Sequence, residues 1–216
     1  MTGTRRIVVK SAVVAAALAA VGWLFVRSVL ETNRGPYDVP AEGLTGWTVD
    51  AGGPGEPGVV SLLPPAALHA ELFRQLFQRT AQSLTAPGRP AVPLVLRDEF
   101  ADSLQGAITV EQIVQVARAA GLDRASFEPV CMGHRTEKSG GGSSEMFYAI
   151  FESPAFTEVR RQLIPTHPEH AGTTPFQPTA LRPILLVGAG DASFARWWPM
   201  SAEQQRDCEA PLRLAP

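Results

Sequence analysis

Cysteine is nearly absent from this chain: Cys131 and Cys208 are its only two in 216 residues. No C-x-x-C or C-x-x-C-H spacing occurs, which excludes the zinc ribbons, dithiol redox motifs and covalent haem attachment built on those spacings. G-x-S-x-G and Walker patterns are missing too, removing the nucleophile elbow and the phosphate-cradling loop. Basic charge is scarce in the body. Residues 1–34 hold five basic side chains (Arg5, Arg6, Lys10, Arg27 and Arg34) against Glu31, leaving 14 basic and 20 acidic residues in 35–216, a net of −6. A phosphate backbone needs a basic face, so nucleic acid is not an expected partner.

What is plentiful is apolar sequence near the N-terminus. Ser11 to Val26 reads SAVVAAALAAVGWLFV, sixteen residues without a charge. Snorkelling by Lys10 and Arg27 extends it to Ile7–Leu30, enough for the ~20 residues that a membrane span needs. Trp23 sits near the outer end, where interfacial aromatics are common. No helical spacing leaves a polar face, which argues against a buried helix of a globular core. The basic flank of Arg5, Arg6 and Lys10 places the N-terminus in the cytoplasm. The run ends Trp-Leu-Phe-Val-Arg without an A-x-A pattern, so an uncleaved signal-anchor is expected. Thr4-Arg5-Arg6-Ile7-Val8-Val9-Lys10 resembles a twin-arginine export signal; an ordinary positive flank is the plainer reading of the same residues. The expectation is therefore a single-pass protein of the bacterial inner (cytoplasmic) membrane. It touches the lipid bilayer through residues 7–30 and carries an extracytoplasmic C-terminal domain.

Downstream, Gly35 to Gly58 contains eleven Gly or Pro residues in 24 and reads as a linker, with Trp47 docking on the domain. Val59–Leu63 is a short strand, and Pro64-Pro65 opens a helix over 66–84. Its inner face carries Leu68, Leu72, Phe73, Leu76, Phe77 and Leu84; Glu71, Arg74, Gln78 and Gln82 point outward. Residues 93–96 are a strand. Thr109 and Gln112 form a capping box before a helix with Val110, Ile113, Val114, Ala117 and Ala120 on one face, and Gly121 supplies the left-handed end. Residues 127–132 and 146–151 are strands about a long loop, 134–144. Ser153-Pro154 starts a helix whose inner face is Phe156, Val159, Leu163 and Ile164. A proline-rich loop runs from 165 to 178. The last strand spans 181–187, beginning after Pro183 or lying at an edge.

From residue 92 the order strand, helix, strand, strand, helix, strand is that of a ferredoxin-like sandwich. The expected fold class is thus α+β: a transmembrane helix, then a β-α-β-β-α-β sandwich with an extra N-terminal strand and helix. The expected organisation is 1–34 cytoplasmic tip and anchor, 35–58 linker, 59–199 globular domain and 200–216 tail.

Gly188-Ala-Gly190-Asp-Ala-Ser193 approaches G-x-G-x-x-G after an apolar run. A dinucleotide site needs a helix, a second strand and an acid ~20 residues on. Only 23 residues follow Ser193, and they include Pro199 and Pro211. The glycines are read as a strand-end turn, with Asp191 capping a short helix, and no cofactor is expected. His167-Pro-Glu-His170 lies in a proline-rich loop without a third ligand, so no metal site is expected. Cys131 and His134 are three apart on a strand and face opposite ways, which argues against a nucleophile–base pair. Trp197-Trp198 is read as core closure. In an oxidising compartment a disulfide between Cys131 and Cys208 is expected.

These residues predict a non-catalytic binding or accessory module, with another envelope protein as a candidate partner. The alternative is a cell-envelope hydrolase with dispersed catalytic groups, Asp98, Glu99, His134 and Asp191 being the first candidates. Convergence of those four in one pocket would favour the enzyme.

Overall fold

The computed structural model describes residues 18–24, 35–53, 55–80, 82–139, 142–164, 174–192, 194–198, 200 and 204–215. They fall into two units, residues 1–35 and 36–216. In the first, residues 18–24 are helical. No helix among the described residues is long and apolar enough to cross a membrane. This overturns the transmembrane helix, the signal-anchor and the inner-membrane localisation expected above. The rest of the 7–30 segment and the arginine pair lie outside the described residues.

The second unit is α+β. Its strands are β1 (Tyr37–Val39), β2 (Thr48–Ala51), β3 (Gly58–Leu63), β4 (Val92–Leu96), β5 (Glu128–Ser139), β6 (Gly142–Glu152), β7 (Ile184–Ala189) and β8 (Cys208–Leu214). Its helices are α1 (Ala66–Thr80), α2 (Arg97–Glu99), α3 (Val110–Ala119), α4 (Pro154–Gln162) and α5 (Gln204–Asp207). Five strands form a curled mixed sheet in the order β1-β8-β5-β6-β7, and β2-β3-β4 form a separate antiparallel sheet.

This order replaces the ferredoxin-like sandwich. That fold would set residues 92–96 beside the β5–β6 hairpin; instead β4 pairs antiparallel with β3, and β3 with β2. The place beside β6 goes to β7, and β5, an edge strand in that fold, pairs with β8, which lies antiparallel to β5 and parallel to β1. The physical reason lies in the C-terminal residues themselves. Ala210 and Leu212 are buried while Glu209, Pro211 and Arg213 are exposed, the period of two that defines a half-buried strand. The stretch read as a tail is a sheet strand, and the stretch read as a linker carries β1 and β2. Trp47 explains the latter: fully buried, it stacks on Phe127 at 3.9 Å between ring centroids and donates from Nε1 to the Gly43 carbonyl at 2.8 Å.

The β5–β6 hairpin is longer than its apolar residues suggested, pairing from Glu128↔Glu152 out to Ser139↔Gly142. One face of the curled sheet joins the main core through Met132, Phe147, Ala149, Phe151, Leu185 and Val187. On the other face Cys131, Met146, Tyr148, Ile150, Ile184 and Leu186 pack with Trp197 and Met200. Gly133 sits opposite Tyr148, and a Cβ there would run into the Tyr148 ring. The capping box at Thr109 and Gln112 forms, and Gly121 takes φ 73°.

On α1, Leu68, Leu72 and Leu76 are fully buried, as their spacing requires. Phe77, assigned inward by sequence, is 53% exposed, as is Ile164 at 49%. Gln75 takes an inner position instead. Its Oε1 accepts from the Asp38 N–H at 2.9 Å and its Nε2 donates to the Asp38 carbonyl at 2.7 Å. A side-chain amide thereby completes the backbone bonding of a strand only three residues long.

A buried cation, Arg160, lies on α4 with 0% exposure. Its guanidinium donates to Leu94 O (2.6 Å), Pro178 O (2.8 Å) and Gln177 O (2.9 Å), and to both Glu99 oxygens at 3.0 and 2.5 Å. All of its donor nitrogens are used, the condition under which a buried charge is tolerated.

Two outcomes test this packing. Leu72→Asp is expected to destabilise the domain by about 4 kcal/mol or more, and Phe77→Asp by about 0.5 kcal/mol or less, in urea unfolding. Similar losses at both would contradict the observed orientation of α1. Glu99→Ala, which strands a buried cation, is expected to cost about 3–5 kcal/mol alone. In an Arg160→Met background it should cost far less, and a double-mutant cycle reads the difference. Additive losses would mean that the two side chains do not depend on each other.

Candidate functional site

At the open end of the β5–β6 hairpin lies a cleft of about 310 Å³. Its walls come from four places in the chain: Glu128 at the start of β5, Phe151 and Glu152 at the end of β6, Ser153, Pro154 and Thr157 at the head of α4, and Thr179, Leu181, Arg182 and Pro183 before β7. Phe151 N–H donates to Pro183 O at 2.9 Å, which closes the apolar floor. Glu128 and Glu152 are direct cross-strand partners. Arg182 Nη2 reaches Glu152 Oε1 at 2.6 Å. Glu128 has no such partner among the described residues.

Ser153 occupies the N-cap position of α4, and Pro154 follows at the first helical position, where its missing N–H costs nothing. Ser153 makes no side-chain cap bond. It is 5% exposed, and its Oγ has no hydrogen-bond partner. The cleft thus combines a helix N-terminus, with its partial positive charge, a guanidinium, two carboxylates and three hydroxyls. Its polar lining consists of hydroxyls, carboxylates and one guanidinium, groups that can hold a small polar ligand.

A second polar cluster lies toward the hairpin turn, six residues along β5 and hence about 20 Å away. His134 Nδ1 bonds Glu209 Oε1 at 2.9 Å, its Nε2 stands 3.6 Å from Glu145 Oε2, and its ring stacks on Phe147. The pairing of β5 with β8 shifts between Met132↔Ala210 and Gly133↔Cys208, so Glu209 is an extra residue beside His134. The hydrogen bond to Glu209 raises the His134 pKa, burial opposes it, and the charges of Glu209 and Glu145 add to the rise. Both carboxylates thus stabilise the charged form of the ring, one through the hydrogen bond at Nδ1 and the other across 3.6 Å from Nε2. On the opposite face Arg135 pairs with buried Asp207 at 2.8 Å, beside Tyr148, whose hydroxyl is held above its ordinary pKa chiefly by burial.

The residues singled out from sequence do not converge. Glu99 is bound to Arg160, Asp98 is exposed without a partner among the described residues, and His134 lies between two carboxylates. Asp191 accepts from Ser144 Oγ. Ser144 and Glu145 are successive on β6 and so point to opposite faces, which keeps Asp191 and His134 apart. Cys131 and Cys208 form a disulfide with a Cα–Cα distance of 5.6 Å across β5 and β8. His167 and His170 lie outside the described residues. Sequence reasoning missed Glu128, Thr157, Thr179 and Arg182. It found Ser153 only as a helix cap, because nothing in the sequence shows that the cap bond is left open.

No protein-family model matches the chain, and neither the curated proteins nor the solved structures contain a match to it.

The His134 cluster sets a pH dependence. A folded-state pKa above the ordinary ~6.5 gives stability that is fully present below that value and lost as pH rises through the folded pKa. Melting temperature is expected to fall over that window in the wild type and to stay flatter in His134→Gln and Glu209→Gln. Parallel profiles for all three proteins would refute this role for the cluster.

Proposed function

We propose that residues 36–216 form a non-catalytic binding module whose ligand seat is the cleft at the head of α4. The observation that carries the reading is Ser153, a residue of the cleft wall whose hydroxyl is buried and has no hydrogen-bond partner. A buried hydroxyl left unbonded costs about 1–3 kcal/mol, a cost that a ligand hydrogen bond offsets. The volume is at the lower end of the roughly 300–1,000 Å³ of small-molecule sites, so the ligand is small. Binding is favoured over hydrolysis because Glu152, the carboxylate next to Ser153, is held by Arg182, while Glu99, His134 and Asp191 are engaged outside the cleft.

The test is a fragment titration of the full chain followed by amide NMR. Shifts are expected to gather at Ser153, Thr157, Thr179 and Arg182. Ser153→Ala should weaken the best cleft-bound fragment about tenfold, the equivalent of one hydrogen bond of about 1.4 kcal/mol. Fragments that gather elsewhere and leave these amides unmoved would overturn the proposal.

A further inference from the structure

Resting on the reading of this cleft as a ligand seat, we infer that its ligand is a small zwitterion, carrying an ammonium and a carboxylate group as a free amino acid or the end of a short peptide does. The argument starts from charge that the fold leaves unbalanced. Glu128 and Glu152 stand directly opposite each other on β5 and β6, and like charges so placed repel. Glu152 is neutralised by Arg182 at 2.6 Å. Glu128 has no counterpart among the described residues, and it lines the cleft. An ammonium group placed there supplies the missing charge.

The Ser153 wall has the opposite character. Helix α4 is nine residues long and begins here, so its first free backbone N–H groups carry partial positive charge. Ser153 would normally accept one of those N–H groups and does not. Its Oγ is buried and has no hydrogen-bond partner, which leaves a donor of the cleft wall unsatisfied. Arg182 offers a planar array of five N–H donors, and Glu152 is its one partner among the described residues. These groups select a carboxylate. A simple anion would meet Glu128, and a simple cation would meet the helix N-terminus and Arg182. A zwitterion satisfies both walls at once. The buried Phe151 and Leu181 on the floor suit an apolar side chain, and about 310 Å³ admits an amino acid.

Amide NMR of the full chain at neutral pH, with four probes, tests this. L-leucine is expected to shift Ser153, Thr157 and Arg182. Leucinamide lacks the carboxylate and N-acetyl-leucine lacks the ammonium, and each should bind at least tenfold more weakly. Leucyl-leucine binding tighter than leucine would mark a peptide terminus as the source, and the reverse a free amino acid; either result supports the inference. Glu128→Gln removes an exposed, unpartnered charge that faces Glu152, so its melting temperature should match or exceed that of the wild type. Its affinity for leucine should fall about tenfold, with N-acetyl-leucine unchanged. If leucine and both blocked forms bind equally, or if none binds while fragments still fill the cleft, the zwitterion is overturned and the ligand seat stands. If fragments too avoid the cleft, both readings fall together.

Discussion

A guanidinium with no exposed surface holds together segments that are far apart in sequence. Arg160 sits on α4, yet its five hydrogen bonds reach the carbonyl at Leu94 in β4, the carboxylate of Glu99 in α2, and the carbonyls of Gln177 and Pro178. Taking one cation out of water costs several kcal/mol, and only full partnership offsets that. The partners supply what apolar packing does not supply alone, namely direction. Phe156 and Val159 bury α4 in the main core, but greasy contact is compatible with many small slides and rotations. Five directed bonds are compatible with one position. Glu99 is fixed in turn, its Oε2 also within 3.3 Å of the Leu96 N–H at the end of β4.

The C-terminal strand is held by a different combination. β8 has backbone pairing on both sides, to β1 and β5, and the disulfide from Cys208 to Cys131. Glu209 to His134 and Asp207 to Arg135 add a charged bond on each face of the sheet. An extra residue in β8 makes this possible: without it, Glu209 and Ala210 could not both lie on the His134 side while Cys208 reaches Cys131. The bulge thus converts one strand into a clasp for both faces. Closing a loop of this size with a disulfide restricts the unfolded chain by about 4 kcal/mol in the chain-entropy model.

Much of the local structure was legible in the sequence, because it depends on neighbours a few residues apart. The Thr109 capping box, the left-handed Gly121, the Leu68–Leu72–Leu76 stripe and the Pro154 start of α4 all obey rules of short range. What escaped depends on contacts between distant segments. Gly and Pro over 35–58 argued for a linker, but Trp47 found Phe127 eighty residues on, and its burial outweighs the turn chemistry around it. The stretch 200–216 reads as a tail because its few apolar residues make a weak signal; a free place beside β5 makes a strand of Cys208–Leu214. Phe77 is exposed where the spacing predicts burial, and Gln75, to which the spacing assigns no role, is buried with its amide on both backbone groups of Asp38 in an edge strand three residues long. The apolar N-terminal run shows the opposite limit. Hydropathy described its composition well, yet no helix long and apolar enough to cross a membrane occurs among the described residues. For the cleft, sequence offered a cap residue and no more. Glu128, Ser153 and Arg182 come from three segments, and only the register of β5 on β6 sets Glu128 against Glu152.

The cleft and the buried arginine belong to one construction. Ser153 precedes Arg160 by seven residues, two turns of the same helix or about 10 Å, so fixing Arg160 fixes the head of α4. The same guanidinium binds the carbonyls of Gln177 and Pro178, immediately before Thr179, Leu181 and Arg182 on the other wall. One side chain therefore sets the spacing of both walls without lining the cleft itself. On the proposed reading, a cleft held in this way would lose little freedom when a small ligand entered, so more of each contact would appear as affinity. It also explains why an unbonded serine hydroxyl persists there. Shifting α4 to satisfy Ser153 would break bonds to a buried cation, and those are worth more than one cap.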